Sequence, residues 1–390
     1  MAEQPVSGRG GRGGRGRLRV LHVVQNLNYG GMERLIADIV RRSDHDRFDM
    51  HVLALQYLGR FAEGLESSAG GLHRAPPMSR LSLLRPHRLA RTIAAIAPDV
   101  VHTHSGVWYK ASRAARMAGV RGVLHTDHGR PEHTPRLDLV LDRRAARRCD
   151  VVVAVSRELA GRLERAVVDR PDRLRVIPNG VDTEEHRPRP GETALAAEPG
   201  IEAERTVIGS IGRLEPVKGY DVMVRAFAHL VHTLRPAQRP ALVIAGDGRE
   251  RTRLESLARA LDVAGNVFLL GWRDDVAALH ATFDLFSMAS HSEGTSVSLL
   301  EAMSAGLCPV VTAVGGNPTV LGQTLAHRLV PAADPGALAA AWAAALADPA
   351  ARLRDGRAAR QRVLDAYDVD RMVEAYEELY EEVGATARPG

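Results

Sequence analysis

The stretch Leu18–Arg42, LRVLHVVQNLNYGGMERLIADIVRR, carries the pattern on which the fold prediction rests. Its first seven residues form a short apolar run, which is typical of a strand buried on both faces. A loop with two adjacent glycines follows, and Met32–Arg42 then has the apolar spacing of a helix. A buried strand, a loop and a helix in this order predict a parallel α/β sheet.

The same unit recurs along the chain. Further strands are predicted at Met50–Leu55, Val100–His104, Gly122–His125, Val151–Val155, Arg175–Ile177, Thr206–Ile211, Ala241–Ala245, Val267–Leu270, Leu285–Met288 and Pro309–Thr312. Helices are predicted near Tyr220–Leu234, Arg249–Leu261, Ser298–Ala305, Leu338–Leu346 and Asp370–Val383. Arg187–Ala203 has three prolines and no apolar periodicity, which indicates a linker between two α/β domains. We therefore predict a Gly/Arg tail over residues 1–17 that is disordered, an N-terminal domain over 18–187 and a C-terminal domain over 203–367.

The composition excludes several classes of protein. The chain has 390 residues and 45% of them are apolar, so it is not disordered as a whole. Two cysteines are too few for a disulfide scaffold. The sequence contains no apolar run long enough to span a membrane, and its first residues lack the apolar core of a secretory signal. We therefore expect a cytoplasmic location.

The net charge of +5 is unevenly distributed. Residues 18–187 hold 28 basic and 20 acidic side chains, whereas residues 188–390 hold 20 and 26. Lys110 and Lys218 are the only lysines among 52 basic residues. Because lysine is so scarce in this chain, the presence of Lys218 in a loop between a predicted strand and a predicted helix is informative.

Gly30 and Gly31 stand between the first strand and its helix. Glycines at this place allow a ligand to approach the backbone, and the start of the helix offers free N–H groups to an anion. The sequence is not G-x-G-x-x-G, which argues against a nicotinamide dehydrogenase.

The loop Gly212–Gly219, GRLEPVKG, is a stronger signal. It follows a predicted strand and precedes a helix, the position at which open α/β sheets bind their ligands. Arg213 and Lys218 place a guanidinium and an ammonium on this loop, and two such cations suit the two phosphates of a diphosphate.

A third motif is Ser292–Met303, SEGTSVSLLEAM. Thr295 or Ser296 can begin a helix whose free N–H groups face a phosphate. Glu301, inside that helix, can accept hydrogen bonds from a ribose diol, and Glu293 can accept them from sugar hydroxyls.

These motifs resemble those of the family 4 retaining glycosyltransferases, which have the GT-B fold. The matching elements stand in the expected order at Gly30–Glu33, Ile177–Asp182, Gly212–Gly219, Ala245–Gly248, Leu270–Val276 and Glu293 to Glu301. The resemblance implies two Rossmann-like domains that face each other across a cleft, with the last helix, over residues 368–386, crossing back onto the N-terminal domain. It further implies transfer of a sugar from a UDP- or GDP-linked donor to a glycan, lipid-linked or small-molecule acceptor, in polysaccharide or glycolipid biosynthesis, without a metal or other cofactor.

The resemblance also implies roles for individual residues. The catalytic group is His128, Arg213, Lys218 and Glu293. The donor-binding group is Gly30, Gly31, Asn179, Arg213, Lys218, Gly246, Trp272, Arg273, Glu293, Gly294, Thr295, Ser296 and Glu301. The N-terminal domain is expected to bind the acceptor, and its positive charge favours an anionic acceptor or an anionic membrane surface that carries it.

Five histidines, His102, His104, His125, His128 and His133, are close enough in sequence to suggest a metal cluster. No cysteine lies near them and no H-E-x-x-H helix is present, so we expect no metal site. His128, followed by Gly129, is the better match to the family's donor-sugar histidine, with His125 as its rival. His102 and His104 are interpreted as the end of a strand.

Two alternatives remain open from the sequence. One keeps the fold and changes the reaction to that of a nucleotide-sugar epimerase or a phosphorylase. The other is an RNA-binding protein that acts through its Gly/Arg tail, although this tail carries no aromatic residues on which bases stack, so nucleic acid is not the expected partner.

Overall fold

The computed structural model describes residues 16–28, 30–77, 85–130, 134–192, 194–195, 198, 200–202 and 204–386. The N-terminal domain is built on a sheet of seven strands. These are β1 (Leu18–Asn26), β2 (Phe48–Tyr57), β3 (Gly71–Arg74), β4 (Val100–His104), β5 (Gly122–Asp127), β6 (Val151–Ala154) and β7 (Leu174–Val176). Their order is β3-β2-β1-β4-β5-β6-β7, and every neighbouring pair is parallel.

Five helices connect these strands: α1 (Gly31–Arg42), α2 (His87–Ile96), α3 (Trp108–Met117), α4 (Arg136–Ala146) and α5 (Arg157–Ala166). The central strands are buried along consecutive residues, whose side chains point to opposite sides of the sheet, so both faces of the sheet are covered. In β1, Leu21 and Val23 pack into one apolar layer, whereas Val20 and Val24 pack into the other.

The C-terminal domain repeats this architecture with six strands. They are β8 (Val207–Ile211), β9 (Ala241–Ala245), β10 (Val267–Gly271), β11 (Leu285–Met288), β12 (Pro309–Thr312) and β13 (Leu329–Val330), in the parallel order β10-β9-β8-β11-β12-β13. Its helices are α6 (Tyr220–Val231), α7 (Arg251–Ala260), α8 (Val276–Thr282), α9 (Val297–Ser304), α10 (Asn317–Leu321), α11 (Pro335–Ala347) and α12 (Pro349–Ala366). The prediction of two parallel α/β sheets is confirmed.

The last helix, α13 (Val369–Thr386), crosses back to the N-terminal domain as expected. The crossing lies where Val181 pairs with Asp368: the N–H of Val181 donates to the Tyr367 carbonyl at 2.9 Å, and the N–H of Val369 donates to the Val181 carbonyl at 3.0 Å. Beyond it, Tyr376 and Tyr380 are buried in the core under the first sheet.

The segment predicted as a linker packs against the C-terminal domain. Leu195 and Ile201 are buried in the apolar layer that also holds Phe286. Pro188 and Pro190 lie outside helices and strands, in a segment that nevertheless packs on this domain. Residues 1–15 of the Gly/Arg tail lie outside the described residues, and so does His133.

Candidate active site between the two sheets

The carboxyl ends of strands from both sheets meet at one place. A Cβ atom added to Gly31, at the start of α1, would lie 3.1 Å from a side-chain methyl of Val297 at the start of α9. A Cβ atom on Gly294 would lie 2.6 Å from the carbonyl oxygen of His128. Glycine is needed at these positions because the two domains touch there. The loops that the sequence analysis singled out therefore form one site.

The first turns of α1 and α9 face each other, and neither N-cap residue caps its helix with a side chain. The Glu33 carboxylate lies at the start of α1, where it accepts a backbone hydrogen bond. Gly30 has no side chain to cap α1, and within the described chain no side chain accepts a hydrogen bond from the first turn of α9, which follows Ser296. Uncapped N–H groups and the positive end of the helix dipole attract anions. This pair of helix ends can therefore bind a phosphate group.

Lys218 and Glu293, predicted from separate motifs, are in direct contact. The Lys218 Nζ lies 2.7 Å from the Glu293 Oε1, and this oxygen also accepts a hydrogen bond from the Ser290 hydroxyl at 2.6 Å. Gly219 permits the contact: its φ is +63°, and a Cβ atom there would lie 2.1 Å from the Ala289 carbonyl oxygen. The ammonium is thus held beside the loop that leads into α9.

Arg213, on the same loop as Lys218, is exposed and forms no ion pair with any residue that the structure describes. It lies close enough to Glu33 for their charges to interact. Burial raises the pKa of Glu33, and the positive charge of Arg213 opposes that rise. Arg213 is therefore a cation that remains available to a ligand, and Glu33 is a neighbour to which the sequence analysis assigned no role.

Glu301 is buried one turn inside α9 and is already paired. Its Oε1 accepts a hydrogen bond from Arg34 Nη1 at 2.8 Å, and His186 Nε2 lies 3.6 Å from the same oxygen. Arg34 also forms an ion pair with Glu185. Since Arg34 belongs to α1, the predicted ribose-binding carboxylate is in contact with the opposite domain.

Asn179, Thr295 and Gly246 serve the packing of the site. The Asn179 side-chain amide donates to the Thr295 carbonyl at 2.6 Å, and the Thr295 hydroxyl donates to the Val155 carbonyl, which ties the two domains together. Gly246 has a φ of +142°, and a Cβ atom there would lie 2.0 Å from the Gly212 carbonyl oxygen. This glycine lets the loop after β9 pack against the loop after β8.

Trp272 and Arg273 differ in what they offer a ligand. Trp272 is 39% exposed, and the Arg60 guanidinium lies 4.7 Å from the centre of its ring. Arg273 is engaged with Asp275 and Glu198 at 2.5 Å each, and its hydrogen bonds lower the pKa of Asp275. Trp272 is thus partly exposed and in contact with Arg60, whereas the Arg273 guanidinium is paired with two carboxylates.

The two candidate histidines have different surroundings. The His125 ring stacks on Trp108 with 3.9 Å between ring centres, and its Nδ1 lies 3.0 Å from the Thr103 hydroxyl. His128 lies beside Gly294 at the junction of the domains, and burial lowers its pKa to about 4. The structure thus places His128 next to the site and His125 in the core.

His22, which the sequence analysis overlooked, completes a buried histidine cluster with His102 and His104. Ring nitrogens of these three lie within 4.8 Å of one another, close enough to hold a metal ion. The three rings also form hydrogen bonds with each other and with neighbours, of which the His22–His104 contact is 3.1 Å. The sequence does place His22 in the first predicted strand. Parallel pairing of β1 with β4 in the structure then sets His22 opposite His102.

Within the described part of the chain, no helix combines the length and the apolar character that crossing a bilayer requires.

Two family models match the chain, one to each domain. The model described as Glycosyltransferase Family 4 matches residues 29–185, and the model described as Glycosyl transferases group 1 matches residues 192–362. EpsF of Bacillus subtilis, a protein named as a glycosyltransferase, is 30% identical over 307 residues, which cover 75% of this chain and 79% of EpsF.

Two further proteins extend the comparison. The UDP-Gal:alpha-D-GlcNAc-diphosphoundecaprenol alpha-1,3-galactosyltransferase of Escherichia coli is 24% identical over 378 residues, covering 93% of this chain and 97% of the enzyme. The structure of Anabaena HepE in complex with UDP-glucose has a TM-score of 0.82 at 22% identity and covers 94% of this chain and 100% of HepE. The fold, the order of the motifs and these relatives together show that the chain belongs to the family 4 glycosyltransferases and is a glycosyltransferase.

Proposed function

We propose that the enzyme transfers a sugar from a nucleoside diphosphate-sugar to a glycan or lipid-linked acceptor, with retention of configuration at the anomeric carbon. One observation carries this proposal: Arg213, Lys218 and the N-terminal ends of α1 and α9 converge between the two sheets. Two cations and two helix ends provide the positive potential that a diphosphate leaving group requires.

The donor nucleotide is proposed to be UDP or GDP. Among the similar proteins, the Escherichia coli enzyme is named for UDP-Gal, and a Mycolicibacterium smegmatis enzyme that is 28% identical over 352 residues is named as GDP-mannose-dependent. In this chain the base would lie along the exposed ring of Trp272, and the ribose diol would donate to Glu301. Glu301 would then exchange part of its contact with Arg34 for the ribose hydroxyls.

The reaction breaks the bond between the anomeric carbon and a phosphate oxygen. A bond to the acceptor oxygen forms on the same face of the sugar, and the acceptor's proton passes to the departing phosphate oxygen. Negative charge accumulates on the diphosphate, where Arg213, Lys218 and the helix ends stabilise it. We infer that these groups neutralise the charge of the leaving diphosphate, a role that a metal ion has in other transferases. Closure of the domains excludes water and so protects the donor from hydrolysis.

His128 and Glu293 are proposed to contact the donor sugar. Glu293 lies on the loop that leads into α9, with one oxygen bound to Lys218. His128 stands on the opposite domain, beside Gly294. The sugar would therefore lie between the two loops.

The acceptor is proposed to be anionic or to be carried on an anionic membrane surface at the cytoplasmic side. In support, α4 of the basic N-terminal domain exposes Leu137 and Val140 on one face, with 69% and 40% of their surface accessible. The exposed Arg144 follows one turn after Val140. Apolar side chains beside arginine are the combination with which peripheral helices bind anionic lipid.

A donor panel tests the proposal. UDP-, GDP- and ADP-linked sugars are each added to the protein, and the melting temperature is recorded. We expect one base to raise it, because a ligand that binds the native state stabilises it by mass action. The responding donor is then incubated with and without lipid-linked acceptors. Release of nucleoside diphosphate that depends on acceptor supports transfer, whereas conversion of the sugar without acceptor indicates an epimerase. A panel in which no nucleotide-sugar changes the melting temperature contradicts the proposal.

A further inference from the structure

One oxygen of the Glu293 carboxylate is held by two donors of its own domain. Its Oε1 lies 2.7 Å from the Lys218 Nζ and accepts a hydrogen bond from the Ser290 hydroxyl at 2.6 Å. The proposed function assigns Lys218 to the diphosphate, whereas Ser290 has no role in it. Ser290 is fully buried, so its hydroxyl cannot reach a ligand itself and acts through Glu293.

The backbone around Ser290 is fixed from two sides. The Thr312 hydroxyl, at the end of β12, donates to the Ser290 carbonyl at 2.7 Å. The N–H of His291 donates to the Val217 carbonyl at 2.8 Å, which ties this loop to the loop that carries Lys218. All of these residues belong to the C-terminal domain, so the position of the Ser290 hydroxyl does not depend on contact with the opposite domain.

The main chain of Glu293 and Gly294 is held by the loop that follows β12. Gly315 has a φ of +54°, and a Cβ atom there would collide with the Glu293 carbonyl oxygen. The N–H of Gly316 donates to the Gly294 carbonyl at 2.9 Å. The Glu293 side chain is therefore fixed at its backbone and at Oε1, and a carboxylate held at both ends is preorganised for contact with a substrate.

The second oxygen of the Glu293 carboxylate is left for a ligand. The side chain is 8% exposed, and its Oε2 accepts no hydrogen bond from any residue that the structure describes. Because Oε2 is not one of the described buried polar atoms that lack a partner, it belongs to the exposed part of the side chain. The next residue, Gly294, packs against the His128 carbonyl, so Glu293 stands at the junction of the domains where the donor sugar is proposed to lie.

We propose that Ser290 is a positioning residue: with Lys218 it holds Glu293 Oε1, so that Oε2 accepts a hydrogen bond from the donor sugar. The contact of Glu293 with that sugar rests on the proposed function. An ionised carboxylate only accepts hydrogen bonds. The sugar group against Oε2 is therefore a donor, either a hydroxyl or an amide N–H, and a sugar that carries a carboxylate at this position is disfavoured.

Paired affinities separate this role from a general loss of structure. Calorimetry measures the binding of UDP and UDP-glucose, and of GDP and GDP-mannose, and gives for each pair the ratio of sugar-nucleotide affinity to nucleoside diphosphate affinity. Glu293 is less firmly held in Ser290→Ala, so we expect this ratio to fall about three- to tenfold, the effect of one lost hydrogen bond. The affinity for the nucleoside diphosphate should stay close to that of the natural protein, which also shows that the variant is folded.

A double-mutant cycle shows whether Ser290 acts through Glu293. Adding Ser290→Ala to Glu293→Ala should not lower the ratio further, because the carboxylate that Ser290 positions is gone. Ser287→Ala is the matched control. It removes a buried hydroxyl of β11 that donates to the Val310 carbonyl and accepts from the Trp342 indole N–H, each at 3.0 Å, and it should leave the ratio unchanged.

The possible outcomes distinguish this role from the proposed function. An unchanged ratio in Ser290→Ala overturns the role of Ser290 and leaves the proposed function standing, and so does an equal loss with and without Glu293. Failure of the natural protein to bind any of the four nucleotides overturns the proposed function and the role of Ser290 together.

Discussion

Glu301 provides the most specific test at the scale of a single residue. In the proposed complex its carboxylate accepts hydrogen bonds from the ribose diol, and bonds to a charged acceptor are worth about 1.5–3 kcal/mol. We therefore expect Glu301→Ala to weaken binding of the nucleoside diphosphate at least about tenfold. Arg34 keeps its second partner, Glu185, so its guanidinium is not left without an ion pair.

The 2′-deoxy nucleoside diphosphate makes this measurement specific to the ribose. Calorimetry should show that the natural enzyme prefers the ribonucleotide, and that Glu301→Ala binds both forms equally. Glu374→Ala, an exposed carboxylate of α13, serves as the control and should keep the preference. A preference for the ribonucleotide that is unchanged in Glu301→Ala would place the ribose elsewhere.

The residues that could be predicted from sequence are those inside local motifs. Lys218 and Glu293 can be selected from the sequence because each lies in a glycine-containing loop between a strand and a helix. Arg34 and His186 cannot, since their contact with Glu301 arises only when the two domains pack together. The sequence motif predicts a donor-binding role for Arg273, but the pairing of its guanidinium with Glu198 depends on how the segment after residue 187 folds back.

Among the secondary-structure elements, the packing of the loop after β9 against the loop after β8 can be tested by substituting Gly246. Gly246→Ala would put a Cβ atom 2.0 Å from the Gly212 carbonyl at a φ of +142°. We expect the free energy of unfolding, measured with urea, to fall by about 2 kcal/mol or more. Gly265→Ala has open space around its Cβ and should change stability by less than about 0.5 kcal/mol. Equal stability of the two variants would contradict this packing.

Strands with strong apolar runs were predicted well. Val100–His104, Ala241–Ala245 and Leu285–Met288 have the same bounds in the structure as in the sequence prediction. Strands β3 and β13 were missed because they are short edge strands whose pairing with a neighbour defines them. Helix α12 was missed as well: its arginine-rich sequence has little apolar periodicity, so tertiary packing determines it.

The buried histidines give the whole molecule a marked sensitivity to acid. The pKa of His22 is lowered to about 3, that of His280 to about 3 and that of His128 to about 4, in each case by burial. The unfolded chain therefore binds more protons than the native protein between the ordinary histidine pKa of about 6.5 and about 4. Stability is fully present above that window and is lost as the pH falls through it.

We expect the free energy of unfolding to drop by about 3 kcal/mol or more between pH 7.5 and pH 5.5, since each such histidine contributes up to about 1.4 kcal/mol per pH unit. Urea denaturation at the two pH values measures the change. Equal stability at both would show that these histidines are protonated alike in the folded and unfolded chain.

The uneven charge of the molecule is one basis of the proposed contact with an anionic membrane, and vesicle binding tests that contact. Vesicles with anionic lipid should sediment the protein at low salt, and the bound fraction should fall as salt screens the charges. Replacing Leu137 and Val140 with serine should reduce binding, whereas Leu353→Ser, an exposed leucine on α12, should not. Equal vesicle binding by the natural protein, the variant with serine at Leu137 and Val140, and Leu353→Ser would show that α4 does not contact the membrane.

Lys218 is proposed to bind the diphosphate of the donor, and the scarcity of lysine in this chain supplies a matched control. Lys218→Gln removes the charge while its amide can still donate to Glu293, and Lys110→Gln removes the only other lysine. Calorimetry should show that Lys218→Gln binds the nucleoside diphosphate about tenfold to a hundredfold more weakly, with unchanged affinity for the nucleoside alone. Lys110→Gln should bind both like the natural enzyme. Equal affinity of the two variants for the nucleoside diphosphate would show that Lys218 does not bind the diphosphate.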